Sequence, residues 1–314
     1  MDQSTPHSSL AYPPQCHFLQ SGDWQHFEQE LGKHTILGQG DGFSYLAITE
    51  STPIGNYLYL PYGPFLERPE AFASALSDIK QRAGRAFFVR IEPTLYLAPD
   101  YLRSFGAIKS KDLNPAETWV LTIPSSRAEL LSKLPRRTRG YYNTHEKKGI
   151  TITKSHNPDD IHYLTTLQNQ IFSAKHIKPF PESYLRTELA QDFATLYLAW
   201  YETRVIAAIL IFDDATTRFY MQAASDKAYA KLNANGILTI ASILDAADAG
   251  LKYYDFWGVA PEGAPSNHPW SGFTAFKKSF AGQEVTYTGT YDIPLNYPKY
   301  RLYQFLRFIK GRAK

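Results

Sequence analysis

Only one cysteine, Cys16, occurs in this chain of 314 residues. A lone thiol closes no intramolecular disulfide and builds no multi-cysteine zinc site, so the chain suits a reducing compartment. The nine histidines are scattered, with neither a His-Glu-x-x-His run nor a Cys/His pair spacing, which argues against metal catalysis. Neither a Gly-x-Ser-x-Gly elbow nor a Walker loop is present, which removes the usual hydrolase nucleophile and the usual triphosphate cradle. No run of about 18 apolar residues exists to cross a bilayer. The opening "MDQSTPHSSLAYPPQ" has no basic region and no apolar run, so it does not read as a secretory signal. A cytoplasmic location is expected.

What is present is the composition of a folded protein: 44% hydrophobic and 20% charged residues, in a chain long enough for two domains. The net charge of +3 hides an uneven distribution. Lys133, Arg136, Arg137, Arg139, Lys147 and Lys148 crowd one segment, and Lys299, Arg301, Arg307, Lys310, Arg312 and Lys314 form a second without an acid among them. Each cluster is either a surface for phosphates or anionic lipid, or a pair of solvated helix faces.

Residues 1–15 read as a flexible tail. "SGDWQHFEQELG" predicts a short helix capped by Ser21 or Asp23 and stopped by Gly32. "FSYLAIT" and "NYLYLP" read as strands around the turn-forming "ESTPIG", and "LGQGDGF" reads as a hairpin turn. "RPEAFASALSDIKQRAG" has helical spacing, and "RAFFVRIEP" is an apolar strand. The order returns later: "ATLYLAWYE", "RVIAAILIFD" and "TRFYMQAAS" are strand-like, a long helix follows from about Lys227 to Gly250, and "KYYDFWG" is another strand. Between the halves, "SRAELLSKLPRRTRGYYNTHEKKG" predicts a helix interrupted or bent at Pro135 and ended by Gly149. "YPKYRLYQFLRFIKGRAK" predicts a last helix with Tyr300, Tyr303, Leu306 and Phe308 or Ile309 toward one side. Two halves of like order indicate a duplicated mixed α/β fold.

This order invites comparison with the acetyltransferase fold, whose coenzyme A loop reads Arg/Gln-x-x-Gly-x-Gly/Ala. The expected junction here, "MQAASDKAYAKLNANG", lacks it, and the near misses at Gln39–Ser44 and Arg137–Tyr142 lie elsewhere. Acetyl-CoA is not the expected donor, and no cofactor is expected. Four blocks instead resemble the Fem family (FemA, FemB, FemX) of aminoacyl-tRNA-dependent peptidyltransferases that build peptidoglycan cross-bridges. "YLYLPYGPFL" is similar to the family's strand ending in Pro-x-Gly-Pro. "TRGYYNTHEKKGI" resembles its Thr-Arg helix with a Glu-Lys-Lys-Gly turn. "FYMQAAS" with "YDFWG" looks like its tyrosine-bearing strand and the strand after the long helix. "GFTAFKKSFAG" leading into "YTGTYD" is similar to its Gly-Phe-x-x-Phe-Lys block. Two departures stand out: the long coiled-coil hairpin of some members has no room, and "DWQHFEQ" offers His26 and Glu28 where the family often has a lysine.

The resemblance implies two acetyltransferase-like domains in tandem, residues 16–123 with 296–314 and residues 124–295, the C-terminal helix packing back on the first. It implies transfer of an aminoacyl group from charged tRNA to the stem-peptide amine of a peptidoglycan precursor, lipid-linked or UDP-linked, in the cytoplasm or at the inner face of the membrane. It brings Lys277 into a catalytic cavity, where an ammonium beside Phe276 and Phe273 stabilises an oxyanion or the terminal phosphate of the tRNA; the other reading is a surface lysine. Tyr220 either hydrogen-bonds the reacting amine or is a core tyrosine, and Asp255 either positions the amine or ends a strand. Lys175 and Lys178 sit in a loop expected to meet the acceptor's phosphate, or are simply solvated. Arg139 contacts phosphate, caps a helix or makes an interdomain salt bridge, and Glu92 faces the acceptor peptide. Arg136, Arg137, Lys147 and Lys148 are the expected tRNA contacts. The remaining alternatives are an acyltransferase of the same fold acting on a polysaccharide or small amine, and a non-catalytic binder of tRNA or cell-wall precursor.

Overall fold

The computed structural model describes residue 12 and residues 17–175, 179–265 and 270–312. Except for Tyr12, the tail read over residues 1–15 lies outside the described residues, as do Cys16 and Lys178. In chain order the elements begin with α1 (Gly22–Glu30), β1 (Thr35–Gly40), β2 (Phe43–Thr52), β3 (Gly55–Leu60), β4 (Phe65–Leu66), α2 (Ala71–Arg82), β5 (Phe88–Ile91), α3 (Pro99–Ser104) and β6 (Ile108–Lys109). Next come β7 (Glu117–Thr122), α4 (Arg127–Lys133), α5 (Arg136–Asn143), β8 (Ile150–Ser155), α6 (Ile161–Lys175), α7 (Glu182–Leu189), β9 (Ala194–Tyr201), β10 (Arg204–Asp213) and β11 (Thr217–Ser225). The last are α8 (Ala234–Asp248), β12 (Tyr253–Gly258), α9 (Ser271–Lys278), β13 (Gln283–Thr286), β14 (Tyr291–Pro294) and α10 (Tyr297–Arg312).

The chain forms two compact units, residues 1–116 with 285–314 and residues 117–284. The sequence reading drew its boundaries seven and eleven residues later, at 123/124 and 295/296. Strand pairing explains where the divisions fall: β7 joins β12, whereas β14 joins β5.

In the first unit the sheet order is β1-β2-β3-β5-β14-β6, with β4 on β2. Ser21 caps α1 by accepting from the Trp24 amide at 3.1 Å, as its sequence position predicts. The "LGQGDGF" stretch makes a hairpin, Gly40 facing Phe43 across Asp41-Gly42, with Gly42 at φ +72°. β3 and β5 run parallel around α2, whose Phe72, Ala75, Leu76 and Ile79 are fully buried at helical spacing. Elsewhere in this unit Arg90 pairs with Asp292 at 2.7 Å, both 2% exposed, across the β5–β14 register. Tyr300 of α10 donates to the same carboxylate at 2.9 Å. Tyr300 and Tyr303 pack against Phe87 and Phe88, so α10 does pack on the first unit. The rest of the predicted apolar side is corrected: Leu306, Phe308 and Ile309 are 41%, 55% and 48% exposed, because they point around the helix from those two tyrosines.

The second unit carries the sheet β13-β7-β12-β11-β10-β9-β8. β10 is buried along nearly its whole length, with α6 and α8 both against it; burial on both faces explains why "RVIAAILIFD" is an unbroken apolar run. The helix predicted from Lys227 to Gly250 is two pieces, a 3-10 segment Lys227–Leu232 and α8. Asn233 between them is left-handed, φ 53° and ψ 39°, a conformation that asparagine tolerates and a continuing helix does not. The interruption at Pro135, between α4 and α5, and the stop at Gly149, φ 74°, are as predicted. Each unit thus repeats a helix between two parallel strands, β3-α2-β5 and β11-α8-β12, in keeping with the mixed α/β fold of two like domains expected from the sequence.

Candidate active site

The second unit is opened by the way its parallel strands separate. β11 is nine residues long and β12 six, yet they pair only from Thr217 with Tyr253 to Phe219 with Asp255. Irregularities lie on the outer side of both strands: the β10–β11 register shifts between Leu210 and Ile211, and the β12–β7 register shifts between Asp255 and Gly258. Such bulges bend a strand and re-aim its side chains. Trp257, inside the second irregularity, has φ 63°.

α9 brings a cation to this part of β12. It forms from "SGFTAFKK", whose two lysines in the last turn complement the negative end of the helix dipole. The Thr274 hydroxyl accepts from the Ala260 amide at 2.7 Å and ties the first turn to the end of β12. Phe280, just beyond the helix, is buried against Phe256, and Phe276 meets it edge-on at 5.3 Å. The aromatic flank expected around Lys277 therefore divides, Phe276 joining the core while Phe273 is 51% exposed.

Lys277 donates from Nζ to the Gly258 carbonyl at 2.7 Å. Burial pulls its ammonium down from the ordinary 10.5 to about 8, with the charge of Asp255 opposing that shift. Asp255, 1% exposed, is held on β12 by the Thr118 hydroxyl and by the Trp257 amide at 2.7 Å. It lies within the strand rather than at its end. Lys278, one residue on, pairs with Glu284 and lies over the Trp119 ring at 5.4 Å. Adjacent lysines thus have different work: one is held among structural partners, the other is desolvated beside a carbonyl and a buried carboxylate.

The remaining expected residues are dispersed. Tyr220 is 5% exposed and donates to Asn235 Oδ1 at 3.1 Å; burial raises its hydroxyl to about 12. It links β11 to the first turn of α8 as a core tyrosine. Arg139 donates to the Leu131 carbonyl near the end of α4, the capping arrangement. Arg136, Arg137, Lys147 and Lys148 are exposed, and the fold brings two of them to one ring: Arg137 lies 6.0 Å and Lys148 4.5 Å from Tyr141. Lys175 is the last residue of α6, so it is helical where a loop was expected. In the first unit Glu92 is 2% exposed and accepts from Tyr59 at 2.8 Å, Thr290 at 2.6 Å, and the Asn114 side chain and amide at 2.9 and 3.3 Å. Its carboxylate is occupied by donors of its own unit.

Sequence reading missed the second unit's open cavity of about 410 Å³, lined by Tyr142, His145, Lys154, Tyr197 and Asp245 among others. Asp245 there accepts from both Lys154 and Tyr197 at 2.8 Å. Nothing in the sequence signals this, because the residues come from α5 and the turn after it, β8, β9 and α8. Among the described residues no cluster of histidine, cysteine and carboxylate side chains could hold a metal ion.

No curated protein matches the chain. The fold is similar to that of FemX, with a TM-score of 0.78 at 17% identity over 92% of this chain and 95% of that one. It is also similar to the C-terminal domain of a putative lysylphosphatidylglycerol synthetase from Agrobacterium fabrum, TM-score 0.57 at 11% identity over 87% of each chain. L-PGS from Bacillus licheniformis gives 0.54 at 14% identity over 93% of this chain and 97% of that one. At such identities these likenesses are of fold. Residues 173–307, which include β11, β12 and α9, match the FemAB family, so the Fem resemblance read from the sequence holds, by family match over that segment and by fold over nearly the whole chain.

Proposed function

We propose that this protein is an aminoacyltransferase that moves an aminoacyl group from charged tRNA to the stem-peptide amine of a peptidoglycan precursor. The observation that carries the reading is the Lys277 ammonium, desolvated and fastened to the Gly258 carbonyl where β11 and β12 have parted. The amine nitrogen attacks the ester carbonyl, a C–N bond forms, and the electron pair of the C=O collects on oxygen. That oxyanion then expels the 3′-terminal ribose oxygen, which takes up the proton lost by the amine. An activated ester needs no enzymic nucleophile, in keeping with a sequence that has no Gly-x-Ser-x-Gly elbow. It needs alignment and charge stabilisation.

An ammonium has three donors, and Gly258 takes one of those on Lys277. The others are available to the oxyanion. With its pKa at about 8, roughly nine-tenths of Lys277 stays charged at pH 7, as this role requires. Tyr220 acts through Asn235, holding the start of α8 in place. Arg136, Arg137, Lys147 and Lys148 supply phosphate contacts, two of them gathered on the Tyr141 ring. Lys175 and Lys178 remain assigned to the acceptor's phosphate. The reaction belongs in the cytoplasm, where charged tRNA is found.

The test is transfer of radiolabel from a mixture of charged tRNAs to purified precursors, lipid-linked and UDP-linked, by the wild type and by Lys277→Ala. Label should enter one precursor, and the variant should lose about 10²–10³-fold in rate, the cost of removing an oxyanion donor. Label in neither precursor, with the protein folded and binding tRNA, would leave a non-catalytic binder. Full transfer by Lys277→Ala would remove the lysine from the mechanism.

A further inference from the structure

α10 carries several large apolar side chains that face outward, Leu302, Phe305, Leu306 and Ile309 among them. Among the described residues, Tyr300, 1% exposed, and the half-buried Tyr303 seat it against Phe87, Phe88 and Tyr57. At 100° per residue, Leu302, Phe305 and Ile309 fall on the opposite side, at the i, i+3, i+7 spacing of a continuous stripe. They are 48%, 59% and 48% exposed, and Leu306 at 41% widens the stripe. Single exposed leucines are ordinary, but a contiguous exposed apolar stripe marks an interaction surface.

The charge around it is of one sign. Residues 297–314 hold six lysines and arginines and no acid. Arg301 and Arg307 are exposed; Arg307 lies over the Tyr303 ring at 5.6 Å and Lys299 over the Phe87 ring at 5.4 Å. A second copy docking through the same stripe would bring two such cationic helices together, so self-association is disfavoured. Among the described residues no helix is long and apolar enough to cross a membrane. At 16 residues, α10 is about 24 Å long, with charges along it.

We propose that α10 lies flat on an anionic phospholipid bilayer, burying Leu302, Phe305, Leu306 and Ile309 at the acyl-chain boundary while Arg301 reaches the lipid phosphates. Apolar burial and attraction to acidic headgroups act together in such helices, and a long arginine beside the apolar stripe keeps its head at the interface. The proposal goes beyond the transferase reading and does not depend on it, since binding is a property of the first unit and is measured without tRNA or precursor.

The experiment is flotation of the full chain with vesicles of phosphatidylcholine alone and of phosphatidylcholine with phosphatidylglycerol. The wild type should float with the anionic vesicles, less so as salt rises, and little with the neutral ones. The variant Leu302→Ser/Phe305→Ser/Ile309→Ser should lose at least tenfold in partitioning with an unchanged far-ultraviolet circular dichroism spectrum, because those side chains support no core. Arg301→Glu changes two charges and should cost roughly 25-fold, at about fivefold per charge. Failure of the folded wild type to float with anionic vesicles would overturn the proposal, as would equal flotation of the triple variant. A dimer in sedimentation that the triple variant dissolves, without vesicle binding, would show that the stripe serves a second copy instead.

Discussion

Lys277→Met is expected to make the protein more stable at neutral pH and nearly inactive. The ammonium is held at about 8 rather than 10.5, a difference of 2.5 units that corresponds to roughly 3 kcal/mol against the charged native state. Removing it also leaves the Gly258 carbonyl without its donor, which costs about 1–2 kcal/mol. The net expectation is a gain of about 1–2 kcal/mol at pH 7. The sign with pH is fixed by proton linkage. Between pH 8 and 10.5 the unfolded chain binds more protons at this site than the native one, so this residue makes wild-type stability rise with pH across that window and leaves it level below 8. The methionine variant should lack that rise. Calorimetry suits a two-unit chain better than a single two-state fit, and the second unit's transition should move up by about 2–4 °C for each kcal/mol at pH 7. In single-turnover transfer the wild type should lose activity above an apparent pKa near 8, as the ammonium deprotonates. A methionine variant that melts lower at pH 7 and keeps the wild-type rise between pH 8 and 10.5 would refute the reasoning, because Lys277 would then be an ordinary solvated lysine.

Four further outcomes follow from the same geometry. Asp292→Ala strands the buried Arg90 guanidinium and removes the acceptor of Tyr300, so urea unfolding of the first unit should show a loss of about 3–5 kcal/mol; an unchanged midpoint would mean that the pair is not buried. His17 is 1% exposed, its ring tilted against that of Tyr62 with centroids 4.0 Å apart, and burial lowers its pKa from 6.5 to about 3. The unfolded chain alone gains a proton there as pH falls from 6.5 toward 3, so stability declines over that window, and melting of His17→Gln between pH 7 and 4 should be visibly flatter. A Cβ at Gly282 would stand 2.7 Å from the Val120 carbonyl oxygen and from Trp119 Nε1; Gly282→Ala should cost about 1–3 kcal/mol and slow transfer by displacing the segment after α9, and wild-type melting would contradict the close approach. Arg137→Glu with Lys148→Glu should weaken tRNA binding and reduce the slope of log K against log salt by about 0.7–0.9 per lost phosphate contact, measured by filter binding; an unaltered slope would remove this patch from the tRNA surface.

How far the sequence reaches depends on whether a feature is made by neighbours along the chain. The Ser21 cap, the Asp41-Gly42 turn, the break at Pro135 and the stop at Gly149 are local, and each was legible because one residue's conformational preference decides it. The apolar runs of β9 and β10 were legible because strands buried on both faces need little else. The resemblance in "GFTAFKKSFAG" brought out Lys277, but periodicity could not separate it from Lys278. That difference arises from a carbonyl 19 residues earlier in the chain and from Glu284 and Trp119 on the other side.

Where the sequence erred or fell silent, tertiary contacts outweighed local pattern. Asn233 interrupts a stretch of good helix formers by turning left-handed, and the outward stripe of α10 has the same periodicity as a buried one, so only the positions of Tyr300 and Tyr303 reveal which side faces the domain. Tyr220 reads equally well as a reactive group or as a core tyrosine from the sequence, and its partner Asn235, like the donors around Glu92, is visible only in the fold. The sequence by itself determined the mixed α/β class, the two like halves and the family resemblance, since these rest on residue order and local periodicity. The tertiary structure decided which lysine is desolvated, which tyrosine is spent on packing and which face of the last helix is bare, because burial and hydrogen-bond pairing depend on groups far apart in the chain.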